Sequence, residues 1–244
     1  MPLLRTIAAL CCMARGDRDR LAGRYGRAER RIKEALASTS GGGRLEQAIR
    51  ARLLNRLGMT YKYQGRLTLS ARAYRRAFQI SSRLFPEDHS LLATHYHNLA
   101  GLEHARGNCV EAEPLARHGL AIRERAVGPG HAAVGRDLAA LAAILDGTGR
   151  HEEAEALHRR ALEILRRHGR SERREHSYAL ANLAACLHLM GRTEEAEALA
   201  REALKLQRKV LGVGHPDLAA TLANLESMRR SSQSSGSSRA TGSL

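Results

Sequence analysis

A glycine recurs at a fixed interval along this chain. Gly23, Gly65, Gly107, Gly149 and Gly191 each stand 42 residues after the last. The wording that follows each one repeats too. From Gly149 it reads G-R-H-E-E-A-E-A-L-H-R-R-A-L, and from Gly191 G-R-T-E-E-A-E-A-L-A-R-E-A-L. The copy at Gly107 reads G-N-C-V-E-A-E-P-L-A-R-H-G-L, and weaker copies start at Gly65 and Gly23. A period between about 20 and 50 residues marks a solenoid or array of small units. Such units bury their apolar faces only against their neighbours, so length sets no domain count here.

The apolar positions give the unit its shape. Eight residues before each glycine stand Leu57, Leu99, Leu141, Leu183 and Leu225, and eleven before stand Leu54, Tyr96, Leu138, Leu180 and Leu222. Seven before stand Gly58, Ala100, Ala142, Ala184 and then Glu226. Spacings of three and four place these on one face of a helix, helix A. After each glycine a second helix, B, carries Ala28, Ser70, Ala112, Ala154 and Ala196 five residues on. It carries Ala35, Ala77, Gly119, Ala161 and Ala203 twelve residues on. Aromatics are 3% of the chain and Trp is absent. The core is therefore read as Ala and Leu packed closely, helix on helix.

Taken in order, residues 2–14 read as a helix, with Leu3, Leu4, Ile7, Leu10 and Cys11 on one side. R-G-D-R-D-R at 15–20 reads as polar linker, so residues 1–22 form a degenerate N-terminal helix and linker. The array spans 23–230. Helix B of the first repeat runs from Arg24 to about Ser38, and S-T-S-G-G-G at 38–43 breaks it. Helix pairs follow at 45–64 with 67–84, from 89 with 110–126, at 131–147 with 151–168, and at 174–189 with 193–211. Gly128-Pro129-Gly130, Gly169 and Gly212-Val213-Gly214 are read as stops. A last helix within 215–230 begins near Pro216, a good first-turn residue. Glu226 and Arg229 replace small and apolar residues there, so it reads as a solvating cap. Residues 231–244 hold seven serines and almost nothing to bury, and read as disordered.

These residues resemble the tetratricopeptide repeat. Leu57, Gly58, Tyr61, Gly65, Ser70, Tyr74 and Ala77 match its pattern along a helix pair, with Ser70 in place of Ala. The 42-residue period and the G-R-x-E-E-A-E-x-L-x-R-x-A-L wording look like the kinesin-light-chain type of this repeat. His215-Pro216-Asp217 and the histidines at 89 and 131 fit that type as well. The resemblance covers about residues 23–230. It implies an all-α, right-handed superhelical solenoid of helix-turn-helix repeats, with a concave groove lined by A helices that holds peptides.

Enzyme chemistry finds little support. No phosphate loop, nucleophile elbow or dinucleotide fingerprint occurs, and no cofactor is expected. Cys11, Cys12, Cys109 and Cys186 form neither a disulfide framework nor a zinc motif. A reducing, cytoplasmic context is the simplest reading. The apolar start, with Arg5 inside it, is too short for a membrane span and makes a poor signal peptide. H-E-E-A-E-A-L-H at 151–158 lacks the metal-binding spacing, because His158 falls at i+7 rather than i+4. His89, His131 and His215 lie in separate repeats and are read as closing their loops by hydrogen bonds. His95, His97 and His104 share one helix and are read as surface residues. No metal site is expected.

The net charge of +15 sits mostly on Arg scattered along helices. Lys33, Arg75, Arg117, Arg159 and Arg201 form a ladder ten residues after each glycine. Glu29, Glu113, Glu155 and Glu197 stand four residues before all but Arg75, which is the favourable order for intrahelical pairing. Such pairing cancels the ladder's field. One set lies away from the Leu row, on the face that the resemblance implies lines the concave groove. Arg56, Asn98, Asn182 and Asn224 stand nine residues before their glycines, and Arg52, Arg136 and Tyr178 thirteen before. Asn can bond both N–H and C=O of an extended peptide, and Arg can fork a carboxylate. The same asparagines could instead bond neighbouring helices. Arg52, Arg56, Asn98, Arg136, Tyr178, Asn182 and Asn224 are the candidate groove residues. The expected function is a non-catalytic scaffold for a peptide or an acidic protein surface, with no membrane. The rivals are a nucleic-acid-associated repeat protein and an accessory module of a larger regulator. Glutamate-rich helices and a lack of stacking aromatics weigh against nucleic acid.

Overall fold

Each repeat glycine ends a helix by the same hydrogen-bond pattern. The computed structural model describes residues 2–39 and 42–240. At Gly65, its amide bonds to Lys62 O (3.0 Å) while the Arg66 amide bonds to Tyr61 O (2.9 Å). This Schellman pattern places Gly65 at φ +72°, a region that costs a side chain dearly. The pattern recurs at Gly23, Gly107, Gly149 and Gly191. The sequence period is thus a period of helix C-caps.

Helices then fall where the periodicity predicts them. They are α1 (Pro2–Leu21), α2 (Tyr25–Ser38), α3 (Arg44–Tyr63), α4 (Leu67–Leu84), α5 (Ser90–Ala105) and α6 (Cys109–Val127). There follow α7 (Ala132–Asp146), α8 (His151–Arg167), a 3-10 turn (Gly169–Glu172), α9 (Arg173–Leu189), α10 (Thr193–Leu211) and α11 (Leu218–Ala240). No strand occurs among the described residues, and the architecture is an all-α helical-repeat solenoid. The chain forms two units, Met1–Pro129 with α1 to α6 and Gly130–Leu244 with α7 to α11. Within the first, α1 packs on α2, α3 on α4 and α5 on α6; within the second, α7 packs on α8 and α9 on α10. No helix among the described residues is long and apolar enough to cross a membrane.

The size of two facing residues sets how closely each helix pair packs. Gly58 on α3 faces the ring of fully buried Tyr74 on α4, where an added Cβ would lie 2.5 Å from Cδ1. Gly16 on α1 faces buried Ile32 on α2 in the same way, at 3.0 Å. At the equivalent positions Ala100 and Ala184 stand with Ala116 and Ala200, all of them buried. Gly119 on α6 likewise makes room for Tyr96 on α5, its Cβ position 2.9 Å from the Tyr96 Cβ. Buried Ser70 replaces the usual Ala and donates to Gly58 O (2.8 Å).

Gly16 corrects the reading of residues 1–22. The R-G-D-R-D-R stretch is not a linker but the second half of α1, which runs to Leu21. Its polar character hid a helix whose inward side holds Gly16 and a buried acid. Asp19 is 3% exposed and is met by Arg24 at 2.8 Å and Arg31 at 2.9 Å. Burial raises the Asp19 pKa, but the Arg24 hydrogen bond and the Arg31 and Arg24 charges outweigh it, leaving a net lowering.

The other end also differs from expectation. Helix α11 passes Arg230, where it was expected to stop, and runs on to Ala240. Serine neither breaks nor strongly favours a helix, and the Ser231 hydroxyl bonds back to Ser227 O (3.2 Å). The disorder expected over 231–244 is therefore not seen over 231–240; residues 241–244 lie outside the described residues, as do Ser40 and Gly41 of the 38–43 break. Glu226 and Arg229 are exposed, while Leu218, Leu225 and Met228 are buried against α9 and α10 residues such as Leu183 and Leu204.

The loop histidines His89 and His131 are helix N-caps, and His215 makes the same hydrogen bond in the turn before α11. Nδ1 of His89, His131 and His215 accepts from the amides of Leu91 (3.1 Å), Ala133 (3.1 Å) and Asp217 (3.2 Å). His95 departs from its surface assignment, because it is 0% exposed with Nε2 2.8 Å from Ser81 Oγ. It stands twelve residues before its glycine, where Leu53 and Ala179 are also buried.

Burial pushes the His95 pKa down to about 4. The unfolded chain protonates this group near 6.5, so folding holds fewer protons than unfolding below that pH. Stability is then complete above about pH 7 and falls as pH drops from 6.5 toward 4. At pH 5 the loss from this residue is about 2 kcal/mol. Urea unfolding at pH 7.5 and pH 5 should show a fall smaller by about that amount in His95→Gln. An equal fall in both proteins refutes the assignment.

Candidate functional site

The seven candidate residues lie on one face of the A helices α3, α5, α7, α9 and α11, from exposed Arg52 to buried Asn98. In the first unit, Arg52 on α3 is exposed. Arg56, one turn on, is half-buried and donates from Nε to Asp17 of α1 (2.5 Å). Asn98 on α5 is 6% exposed, and its amide donates to Asn55 Oδ1 on α3 (2.9 Å). This asparagine ties two A helices together, which was the alternative reading of the set. Thr94, one turn before Asn98, is taken up by buried Arg123 of α6 at 3.0 Å.

In the second unit, Arg136 on α7 donates to Glu172 of the 3-10 turn (2.6 Å). The Tyr178 hydroxyl on α9 donates to the Asp217 carboxylate before α11. Asn182 on α9 is half-buried and Asn224 on α11 is exposed. Neither makes a side-chain hydrogen bond among the described residues. The face thus divides into residues that brace neighbouring elements, namely Arg56, Asn98, Arg136 and Tyr178, and residues with unspent hydrogen-bonding capacity, namely Arg52, Asn182 and Asn224. The repeat position does not distinguish the two classes, because the bracing partners are not themselves repeated.

The basic ladder on the B helices is paired as its spacing predicts. Lys33 meets Glu29 at 2.7 Å, Arg117 meets Glu113 at 2.8 Å and Arg159 meets Glu155 at 2.8 Å; Arg201 bonds Glu197. Neighbouring repeats extend the pairing. Arg159 reaches Glu195 (2.8 Å), and Arg192 reaches Glu155 (2.8 Å). Burial raises the Glu155 pKa, but hydrogen bonds from Arg159 and Arg192 outweigh it, and the net shift is down. A charged Glu155 offsets the ladder there.

A polar cluster that sequence spacing did not assemble lies inside the second unit. Asp146 closes α7, His151 opens α8 and Cys186 sits on α9. His151 Nδ1 is 3.0 Å from Asp146 Oδ1, and His158 Nε2 is 3.2 Å from Asp146 Oδ2. Cys186 Sγ donates to His151 O at 3.5 Å. A carboxylate oxygen, a ring nitrogen and the sulfur of Asp146, His151 and Cys186 all lie within 4.8 Å of one another. Burial raises the Asp146 pKa, yet hydrogen bonds from His158, His151 and Cys186 leave it lowered overall. Burial first, and the Asp146 carboxylate after it, push the Cys186 thiol up to about 12. The expectation of no metal site rests on the cysteine spacing, on histidines in separate repeats and on the missing i+4 histidine, all of them linear signals. The available signal was His158 itself, which stands nine residues after its glycine. Buried Ile32, Tyr74, Ala116 and Ala200 occupy that position elsewhere.

Comparison with known proteins follows the same lines. The tetratricopeptide repeat profile matches residues 49–125, 91–167 and 176–234, well over half of the chain. No curated protein matches. BtubC (BKLC) from P. vanneervenii superposes with a TM-score of 0.67 at 23% identity, over 88% of this chain and 85% of that one. A putative kinesin light chain with nearly identical repeats from Podosopora anserina gives 0.60 at 19% identity, over 82% of this chain and 94% of that one. A Rap protein complexed with competence and sporulation factor gives 0.72 at 14% identity, over 93% of this chain and 65% of that one. The chain belongs to the tetratricopeptide repeat family.

Proposed function

We propose that this chain is a non-catalytic scaffold that binds an extended peptide, or an acidic protein surface, along this face of its A helices. The observation that carries this reading is the pair Asn182 and Asn224. They stand one repeat apart on α9 and α11, with amides not committed to neighbouring helices among the described residues. Each can accept from one main-chain N–H and donate to one C=O of an extended strand. Exposed Arg52, in the first unit, can fork a carboxylate of a ligand bound there. Arg56 and Arg136 already hold Asp17 and Glu172, so an acidic ligand must displace those carboxylates to use them. The Rap protein solved in complex with competence and sporulation factor supports a binding role by analogy of fold. Residues 1–22 and 23–230 act together as the repeat array in this reading, α11 closes its end, and the working compartment is the cytoplasm.

The nucleic-acid alternative uses the B-helix ladder and loses support from its paired glutamates. One experiment separates the two. A peptide-display selection against the full chain supplies a ligand, which is then titrated against Asn182→Ala, Asn224→Ala and the exposed B-helix control Arg75→Glu. Each Asn change should cost about 1–2 kcal/mol, or roughly tenfold in affinity, with Arg75→Glu near neutral. Damage confined to Arg75→Glu, with steep salt dependence for an oligonucleotide, favours the ladder instead.

A further inference from the structure

We propose that Asp146, His151 and Cys186 form a binding site for a single Zn²⁺ ion, with His158 holding the carboxylate of Asp146 in place. The donors are one carboxylate oxygen, one imidazole nitrogen and one sulfur, a set that suits this borderline-soft ion. They come from three helices whose relative placement is fixed before any ion arrives. The loop between Asp146 and His151 is held by the Gly149 amide on Asp146 O (3.1 Å) and the Arg150 amide on Leu145 O (3.1 Å). Zn–N and Zn–O bonds of about 2.0 Å and a Zn–S bond of about 2.3 Å put tetrahedral ligand atoms about 3.3–3.7 Å apart. The three atoms already lie within 4.8 Å, so small side-chain rotations close the set. Entry is open, because the Asp146 and His151 side chains are 14% and 26% exposed while Cys186 forms the buried floor.

Plain packing accounts poorly for these residues. Elsewhere the position of His158 is filled by Ile32, Tyr74, Ala116 and Ala200, and that of Cys186 by residues such as Leu102 and Ile144. His158 is 0% exposed, and its Nδ1 has no partner. A buried polar atom left unpaired is a cost that an apolar residue at this position avoids. Its other nitrogen meets the Asp146 oxygen not facing His151. That is the arrangement by which outer partners orient a metal-binding carboxylate.

The Cys186 S–H bond breaks, its proton passes to water, and the sulfur bonds Zn²⁺. His151 takes the tautomer with hydrogen on Nε2, which frees the Nδ1 lone pair. Asp146 binds as the carboxylate it already is. Three protein ligands leave a fourth position for water.

The test uses the full-length, reduced and chelator-stripped chain. Calorimetric titration with Zn²⁺ should give one site, and Co²⁺ should give the charge-transfer absorption of a cobalt–thiolate bond. Cys186→Ser should abolish that absorption, and both it and His151→Ala should weaken Zn²⁺ at least tenfold. His158→Gln should weaken it about 10–100-fold. A chain with Cys11, Cys12 and Cys109 all changed to Ser keeps Cys186 as its only thiol and should retain the absorption. This holds the test open even where Cys186→Ser impairs folding. Absence of the cobalt–thiolate band in that triple variant, or Zn²⁺ affinity unchanged by His151→Ala, overturns the site.

Discussion

Ala161→Glu should lower stability by about 3–5 kcal/mol, roughly 6–20 °C in the unfolding midpoint for a chain of this size. Ala161 is 0% exposed on α8. It stands where Gly119 stands one repeat earlier, and there even a methyl group would crowd the α5 backbone and Tyr96. The facing residue in its own repeat is Leu138, also 0% exposed. A glutamate must therefore lose its charge, stay charged without water, or pry α7 from α8. Nearest-neighbour coupling should spread the damage to α9. Thermal unfolding followed by circular dichroism measures this, and an unchanged midpoint would mean the inward face of α8 is misassigned.

Gly58→Ala should be nearly as damaging, and it should be reversible by a second change. The new Cβ would sit 2.5–2.6 Å from Cδ1 and Cε1 of Tyr74, a ring with 0% exposure. Overpacking of this kind costs about 1–3 kcal/mol. An isolated Gly→Ala change in a helix would instead stabilise by about 0.5–1 kcal/mol. The sign of the effect thus separates packing from propensity. Tyr74→Ala alone should cost about 3–5 kcal/mol by leaving a cavity. Combined with Gly58→Ala it should cost less than the sum, because the pair then resembles Ala100 with Ala116. Additive costs in urea unfolding would show that the two residues do not set the spacing of α3 and α4.

The helices were legible because two local signals coincide. The glycine that can adopt positive φ ends each A helix, and the small residue seven positions earlier marks its inward face. Where one signal was masked, the reading slipped. Gly16 is the small residue of the first repeat, but Arg15, Asp17, Arg18 and Asp19 around it disguise the helix. Its buried acid is met by a hydrogen bond from Arg24 and the charge of Arg31, partners on the next turn and helix that composition cannot pair. At the other end, α11 continues through serines that composition reads only as polar.

The candidate site was less legible for a related reason. A repeat position fixes which way a side chain faces but not what it meets. Asn98 and Asn182 share one position, yet only Asn98 has Asn55 opposite it on the preceding A helix; Ala139 stands 43 residues before Asn182 and offers no side-chain oxygen. The Asp146, His151 and Cys186 cluster lay deeper still. Its members occupy three different repeat positions on three helices, so no linear spacing joins them.

Photo-crosslinking tests whether the A-helix face takes the ligand. A photo-reactive amino acid is placed at position 182, at position 224 and, as a control, at position 75 on α4. Each protein is irradiated with the peptide selected by display, and the products are mapped by mass spectrometry. The account predicts crosslinks to the peptide from positions 182 and 224, competed by unlabelled peptide, and none from position 75. Crosslinks from position 75 alone would contradict it.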